Sequence, residues 1–184
     1  MLWHRQADMR NRAIALDSHG NIYTGGSTSS GLYADKPFER SDAVVIKYGP
    51  QGDELWGRQF GDTYFYDSVN SIALDGSDNV YVGGYTMGDS YNVRDDAYLM
   101  KYDPSGVKLW YKQIDSNAGD SGNDVVIDHD GNAYLSGTTY GDLAGINENH
   151  NYKDTYLIKH DTAGDRLWAK QYGTPIWEEG VIFQ

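Results

Sequence analysis

Apolar and β-branched residues in this chain come in short runs, about four to eight residues long, each closed by Asp, Gly, Asn or Pro. Ile14-Ala15-Leu16 gives way at Asp17-Ser18-His19-Gly20-Asn21 to Ile22-Tyr23-Thr24. Ile72-Ala73-Leu74 passes through Asp75-Gly76-Ser77-Asp78-Asn79 to Val80-Tyr81-Val82, and Val126-Ile127 passes through Asp128-His129-Asp130-Gly131-Asn132 to Ala133-Tyr134-Leu135. A run, a polar turn and a second run bearing Tyr is the signature of a β-hairpin. Asp and Asn bond their own backbone in such turns, while Gly and Asn tolerate positive φ. No segment carries an apolar period of 3.6, so the pattern predicts strands and no helix.

A second hairpin follows each first one. Asp42 to Tyr48 leads through Gly49-Pro50-Gln51-Gly52 to Glu54–Phe60. Asp96 to Tyr102 leads through Asp103-Pro104-Ser105-Gly106 to Lys108–Ile114, and Asp154 to His160 leads through Asp161-Thr162-Ala163-Gly164 to Arg166–Tyr172. Asp-Pro-x-Gly suits a type I turn, with Pro presetting φ. Leu-Trp dipeptides mark the period: Trp3, Trp56, Trp110 and Trp168 lie 53, 54 and 58 residues apart. One unit is therefore four strands in an up-and-down meander, the composition of a propeller blade.

The units follow, with substitutions, the pattern Asp-x-x-Gly-Asn-x-Tyr-x-x-Gly, then Asp-Ala-x-x-x-Lys-Tyr, then Gly-x-x-x-Trp. The second carries Asp75, Asn79, Tyr81, Gly84, Asp96, Ala97, Lys101, Tyr102, Gly106 and Trp110. This pattern resembles the bacterial SBBP repeat family of seven-bladed β-propeller repeats, over residues 11 to 172. The resemblance implies an all-β array of four-stranded antiparallel blades and a secreted or cell-surface bacterial protein. It does not choose among activities, because propellers host many.

The expected layout is a single repeat domain over residues 1–184, with blades at 11–60, 68–114 and 123–172. Partial strands flank them at 2–6 and 179–184. Three blades are too few for a ring, which takes about four to eight, and an open array exposes apolar faces that favour association. Three arrangements meet this: a fragment of a longer propeller, a half-ring completed by a second copy, or one subunit beside other chains. The fragment and the half-ring are favoured. The first junction is also short, since Trp3 to Asp17 spans 14 residues where Trp56 to Asp75 spans 19 and Trp110 to Asp128 spans 18.

Composition narrows the function. A chain of 184 residues with 22 Gly, 16 Tyr and 4 Pro suits short strands and tight turns. It has no Cys, which removes disulfides, thiolate metal sites and a Cys nucleophile. It also has no apolar run of transmembrane length and no signal-peptide pattern at Met1. A net charge of −12 disfavours nucleic acid and an anionic membrane surface.

A meander puts turns 1–2 and 3–4 on one face of the blades and loops 2–3 and 4–1 on the other. The first set is tight and repetitive; the second is long, variable and rich in aromatics and carboxylates, where binding concentrates on rigid scaffolds. Tyr33, Tyr64, Tyr66, Asp89, Tyr91, His150, Tyr152, Trp177 and Glu179 are the candidate ligand-binding residues, suited to a glycan or a peptide.

No catalytic residue, cofactor or metal ligand is assigned. The turn at Asp128 begins like a calcium loop but has Thr139 where an EF-hand needs Glu. Calcium between the acidic loops has no spacing to support it, and Asx turns are the expected reading at Asp17, Asp75 and Asp128. His4, His19, His129, His150 and His160 form no HExxH pair. No nucleophile elbow occurs, and Gly25 to Gly31 opens no helix that would make it a phosphate loop. Asp42, Asp96 and Asp154 recur in every unit, so they are expected to cap strands or make inter-blade bonds and ion pairs. By the same reasoning Trp56, Trp110 and Trp168 are expected to pack between blades. The expected function is a non-catalytic binding or scaffold module; the alternative is part of a hydrolase or lyase acting on polysaccharide.

Overall fold

A computed structural model describes residues 9–33, 40–61, 66–87, 94–145 and 152–173. Every hairpin run forms a strand. Blade one comprises β1 (Met9–Leu16), β2 (Ile22–Thr28), β3 (Asp42–Tyr48) and β4 (Glu54–Phe60). Blade two comprises β5 (Asp67–Leu74), β6 (Val80–Met87), β7 (Asp95–Tyr102) and β8 (Lys108–Ile114). Blade three comprises β9 (Asp120–Ile127), β10 (Ala133–Thr139), β11 (Asp154–His160) and β12 (Arg166–Tyr172). Each set is one antiparallel sheet in sequence order, and no helix occurs among the described residues. The flanking segments 2–6 and 179–184 lie outside the described residues.

The blades stack face to face through two cores. Blade one gives Tyr23, Ala43 and Val45 to the first, blade two Val69, Ile72, Val80, Val82 and Met100. The second joins Tyr81, Ala97 and Leu99 of blade two to Val125, Leu135, Tyr156 and Ile158 of blade three. First strands lie side by side, β1 against β5 and β5 against β9, as the inner strands of a propeller do. Polar bonds tie them: Asn70 Nδ2 donates to the Gly122 carbonyl at 2.8 Å, and Ser71 Oγ to Asp124 Oδ1 at 2.6 Å.

Close approach requires Gly at one repeated position. A Cβ on Gly25 would lie 2.6 Å from a Val69 methyl carbon, and one on Gly83 would lie 2.5 Å from a Val125 methyl carbon. Ser136 holds that position in blade three, the last described blade. The opposite end shows the converse. Ile14 is 72% exposed, while its counterparts Ile72 and Val125, each roofed by a preceding blade, are 8% and 3% exposed.

Candidate functional site

The tight-turn end is a repeated structural block. Asp17, Asp75 and Asp128 each accept backbone and side-chain bonds from the Asn four residues on, at 2.8–3.1 Å, closing the expected Asx turns. The strand-3 lysine reaches back to the same carboxylate: Lys47–Asp17 and Lys101–Asp75 at 3.3 Å, Lys159–Asp128 at 3.1 Å. Each ammonium also lies 4.6–4.9 Å from the ring of Tyr23, Tyr81 or Tyr134, and each Tyr meets its blade's Trp edge-on at 5.7–5.9 Å. Burial alone would raise the Asp17 pKa. The bonds from Asn21, Lys47 and the His19 amide outweigh it and hold Asp17 down to about 2.

The indoles then grip the next blade. Trp56 Nε1 donates to the Pro104 carbonyl and Trp110 Nε1 to the Thr162 carbonyl, both at 3.1 Å. Gly106 and Gly164 sit under these rings at φ +82 and +86, where a Cβ would fall 2.8–2.9 Å from the indole. Inter-blade packing of Trp56 and Trp110 is as expected. Trp168 meets Tyr134 but is 38% exposed, since no described blade follows. Asp78 adds a cross-blade contact of its own. It holds the left-handed position (φ 61) that Gly20 and Gly131 hold in the other turns, and its carboxylate takes bonds from the Ser18 amide and hydroxyl. His19 and His129 side chains are 77% and 90% exposed, as solvated turn residues are.

At the loop end a second block recurs around Asp42, Asp96 and Asp154. Each accepts a hydrogen bond within its own blade, from Gln59, Gln113 or Gln171 on strand 4. The strand-3 lysines pair with the turn aspartates, because Lys sits five residues along the strand at its far end. Gln59 Oε1 also takes the Leu32 and Tyr33 amides, and Gln171 Oε1 the Leu143 and Ala144 amides, at 2.8–3.1 Å. Gln59 and Gln171 thus pin a 2–3 loop to their own sheets.

Three loops converge where blades two and three meet. Arg94 before β7, Ser116-Asn117-Ala118-Gly119 between β8 and β9, and Tyr140-Gly141-Asp142 after β10 line an open groove of about 720 Å³. The groove is held in shape by bonds between its walls. The Tyr140 amide donates to the Gly119 carbonyl at 2.9 Å, and Ser116 Oγ lies 3.0 Å from Thr139 Oγ1. Asn117 occupies the left-handed region at φ 61, its amide bonded to Asp115. Lys153 Nζ lies 5.2 Å from the Tyr140 ring centre. Arg94 makes no hydrogen bond or ion pair among the described residues.

Ser116 connects this groove to a carboxylate cluster. It donates to Asp120 from amide and hydroxyl, and Asp120 lies with Asp96 and Asp115 so that one oxygen of each falls within 4.8 Å of the others. Burial pushes the Asp96 and Asp120 pKa values up; bonds from Gln113, and from Thr139 and Ser116, oppose it, and the Asp115 charge adds to it. Three close carboxylates could hold a cation or share protons. Asp96 and Asp120 are nonetheless 9% and 1% exposed and bound to protein groups, so they do not face the groove as a catalytic pair would.

The candidates named from sequence fall elsewhere. Tyr33 packs its ring against Gly57 within blade one. Tyr66 is 42% exposed, takes a bond from Arg40 at 2.7 Å and has that guanidinium 4.8 Å from its ring. Tyr152 is 50% exposed and does not line the groove. Tyr64, Asp89, Tyr91, His150, Trp177 and Glu179 lie outside the described residues. Arg94, Asn117 and Tyr140 are the groove residues that sequence reasoning did not select, although all three fall on the variable face.

Comparison with known proteins places the repeat. The family described as "Beta-propeller repeat" (SBBP) matches residues 4–34, 55–92 and 110–144, more than half of the chain. An uncharacterized WD repeat-containing protein, L264, of Acanthamoeba polyphaga mimivirus is 29% identical over 142 residues. That match takes in 68% of this chain and 10% of the viral protein, so the chain spans about a tenth of this relative. A crystal structure of a protein of unknown function from Bacteroides caccae aligns with a TM-score of 0.44 at 9% identity, over 94% of this chain and 71% of that one. With the three-fold family match lying on three four-stranded blades, the chain belongs to the SBBP β-propeller repeat family.

Proposed function

We propose that this chain is a non-catalytic binding or scaffold module that recognises its ligand on the variable loop face. The groove of Arg94, Asn117, Tyr140 and Asp142 carries this reading: it is preformed, it draws on three loops, and it pairs an aromatic ring with hydrogen-bonding groups. The tight-turn end supports it by contrast, since its Asp, Lys, Tyr and Trp groups are spent on one another and on the next blade. Seclusion of Asp96 and Asp120 weighs against polysaccharide hydrolysis or lysis. A secreted or surface location, and completion of the ring by a second copy or other chains, belong to the same proposal.

The test is a ligand screen of glycans and peptides by NMR, with product analysis on the same samples. Binding that weakens in Asn117→Ala and Tyr140→Ala, with the unfolding midpoint unchanged and no turnover, supports the module. Turnover abolished by Asp115→Asn or Asp142→Asn would replace it with the enzyme reading.

A further inference from the structure

Resting on that reading, we infer that the groove between blades two and three takes a carbohydrate bearing carboxylate groups, a uronic-acid-type sugar. Three features of the groove point to this chemistry.

Charge is the first. The chain carries −12 overall, yet Arg94 lines the groove with its guanidinium uncommitted among the described residues, and Lys153 stands over Tyr140. Asp142 also lines the groove and Asp115 adjoins it, so the two cations act as direct short-range partners for an anion, within the roughly 8 Å over which charges are felt in physiological salt, and not through a positive field. A planar guanidinium suits a carboxylate in particular, through two parallel N–H bonds.

The second is the ring. Tyr140 is 36% exposed at the groove, while Ala118 is the one aliphatic side chain among the described residues of the lining. That is enough for the C–H face of one sugar and too little to seat apolar peptide side chains.

The third is the polar complement. Asn117 lines the groove with its side-chain amide, and Asp142 with a carboxylate. A sugar acid supplies hydroxyl donors for Asp142 alongside its carboxylate for Arg94, whereas a run of acidic side chains supplies only like charge.

The experiment is titration of the full chain at 50 mM and 300 mM salt with trigalacturonate, with the same trisaccharide fully methyl-esterified, and with a hexaglutamate peptide. Trigalacturonate is expected to bind about tenfold tighter than its ester, the size of one charge-assisted contact. Higher salt should narrow that gap, Arg94→Gln should abolish it, and Tyr140→Ala should weaken both sugars. Lys108→Gln, at the tight-turn end, should change nothing. Equal binding of acid and ester, a gap that survives Arg94→Gln, or tighter binding of hexaglutamate would each overturn the acidic-sugar assignment and leave the binding-module reading standing. Absence of binding by all three probes overturns the sugar assignment, and absence of any ligand in the wider screen overturns the module itself.

Discussion

The Trp56 indole donates its N–H to the carbonyl of Pro104, 48 residues on and in the next blade. The bond recurs from Trp110 to Thr162. It joins sheets that share no backbone ladder, so with bonds such as Asn70–Gly122 and Ser71–Asp124 it adds direction to the apolar packing between blades. Trp110→Phe keeps most of the ring and deletes the donor, leaving the Thr162 carbonyl without its indole. A loss of about 1–2 kcal/mol is expected in urea unfolding, against about 3–5 kcal/mol for Trp110→Ala. Trp168→Phe should be close to neutral, since its indole grips no described blade.

The Lys101–Asp75 pair is 7% and 9% exposed at its side chains. Asp75→Asn would leave the ammonium buried without its counter-charge, and a loss of about 3–5 kcal/mol is expected. Removing the cation as well, in Asp75→Asn with Lys101→Met, should recover part of it. The matching Asp128→Asn should cost less, because Lys159 and Asp128 are 18% and 23% exposed. Denaturant melts of the three variants would check the order.

Acid should act on the two ends with opposite sign. Asp17, Asp75 and Asp128 have folded pKa values below the unfolded one, so their stabilisation is complete above about pH 4. It drains away as acid approaches the folded values, which for Asp17 is about 2. Asp96 and Asp120 have raised values, so the fold prefers them protonated and their ionisation costs stability as pH rises. Asp115→Asn removes a charge beside both. It should stabilise the chain by about 0.5 kcal/mol at pH 7, and the gain should shrink as acid protonates its neighbours. Stability measured from pH 3 to 7 in both proteins tests this.

One position tests the blade stacking directly. Gly83→Ala sets a methyl group 2.5 Å from Val125 and 3.0 Å from Leu135. Both are core side chains of blade three, so the sheets must part, at about 1–3 kcal/mol. Ser136→Gly, the reverse change at the equivalent site of the last described blade, should stay within about 0.5 kcal/mol. Calorimetry of the pair would show the contrast.

Periodicity carried the fold well. The Asx turns, the twelve described strands and the inter-blade role of Trp56 and Trp110 follow from local patterns that repeat. Partners far apart in sequence did not show themselves. Lys47 lies 30 residues from Asp17 and sits near Asp42 in sequence, yet a strand carries it to the opposite end of the blade. Gln59, Gln113 and Gln171 recur three residues after each Trp, but only the register of strand 4 against strand 3 puts them beside their aspartates. The groove was legible as a face and not as a set of residues. Arg94, Asn117 and Tyr140 meet through the stacking of two units, which no single stretch of sequence encodes, and the left-handed backbone at Asn117 has no turn pattern to announce it.

The indole-to-carbonyl grip lies at the tight-turn end, whereas the groove lies among the loops at the other. Under the proposed function, cohesion and recognition draw on separate residues. The loops are free to diversify from unit to unit without loosening the stack, and whole units can be gained or lost in register because each ends in the same chemical handshake.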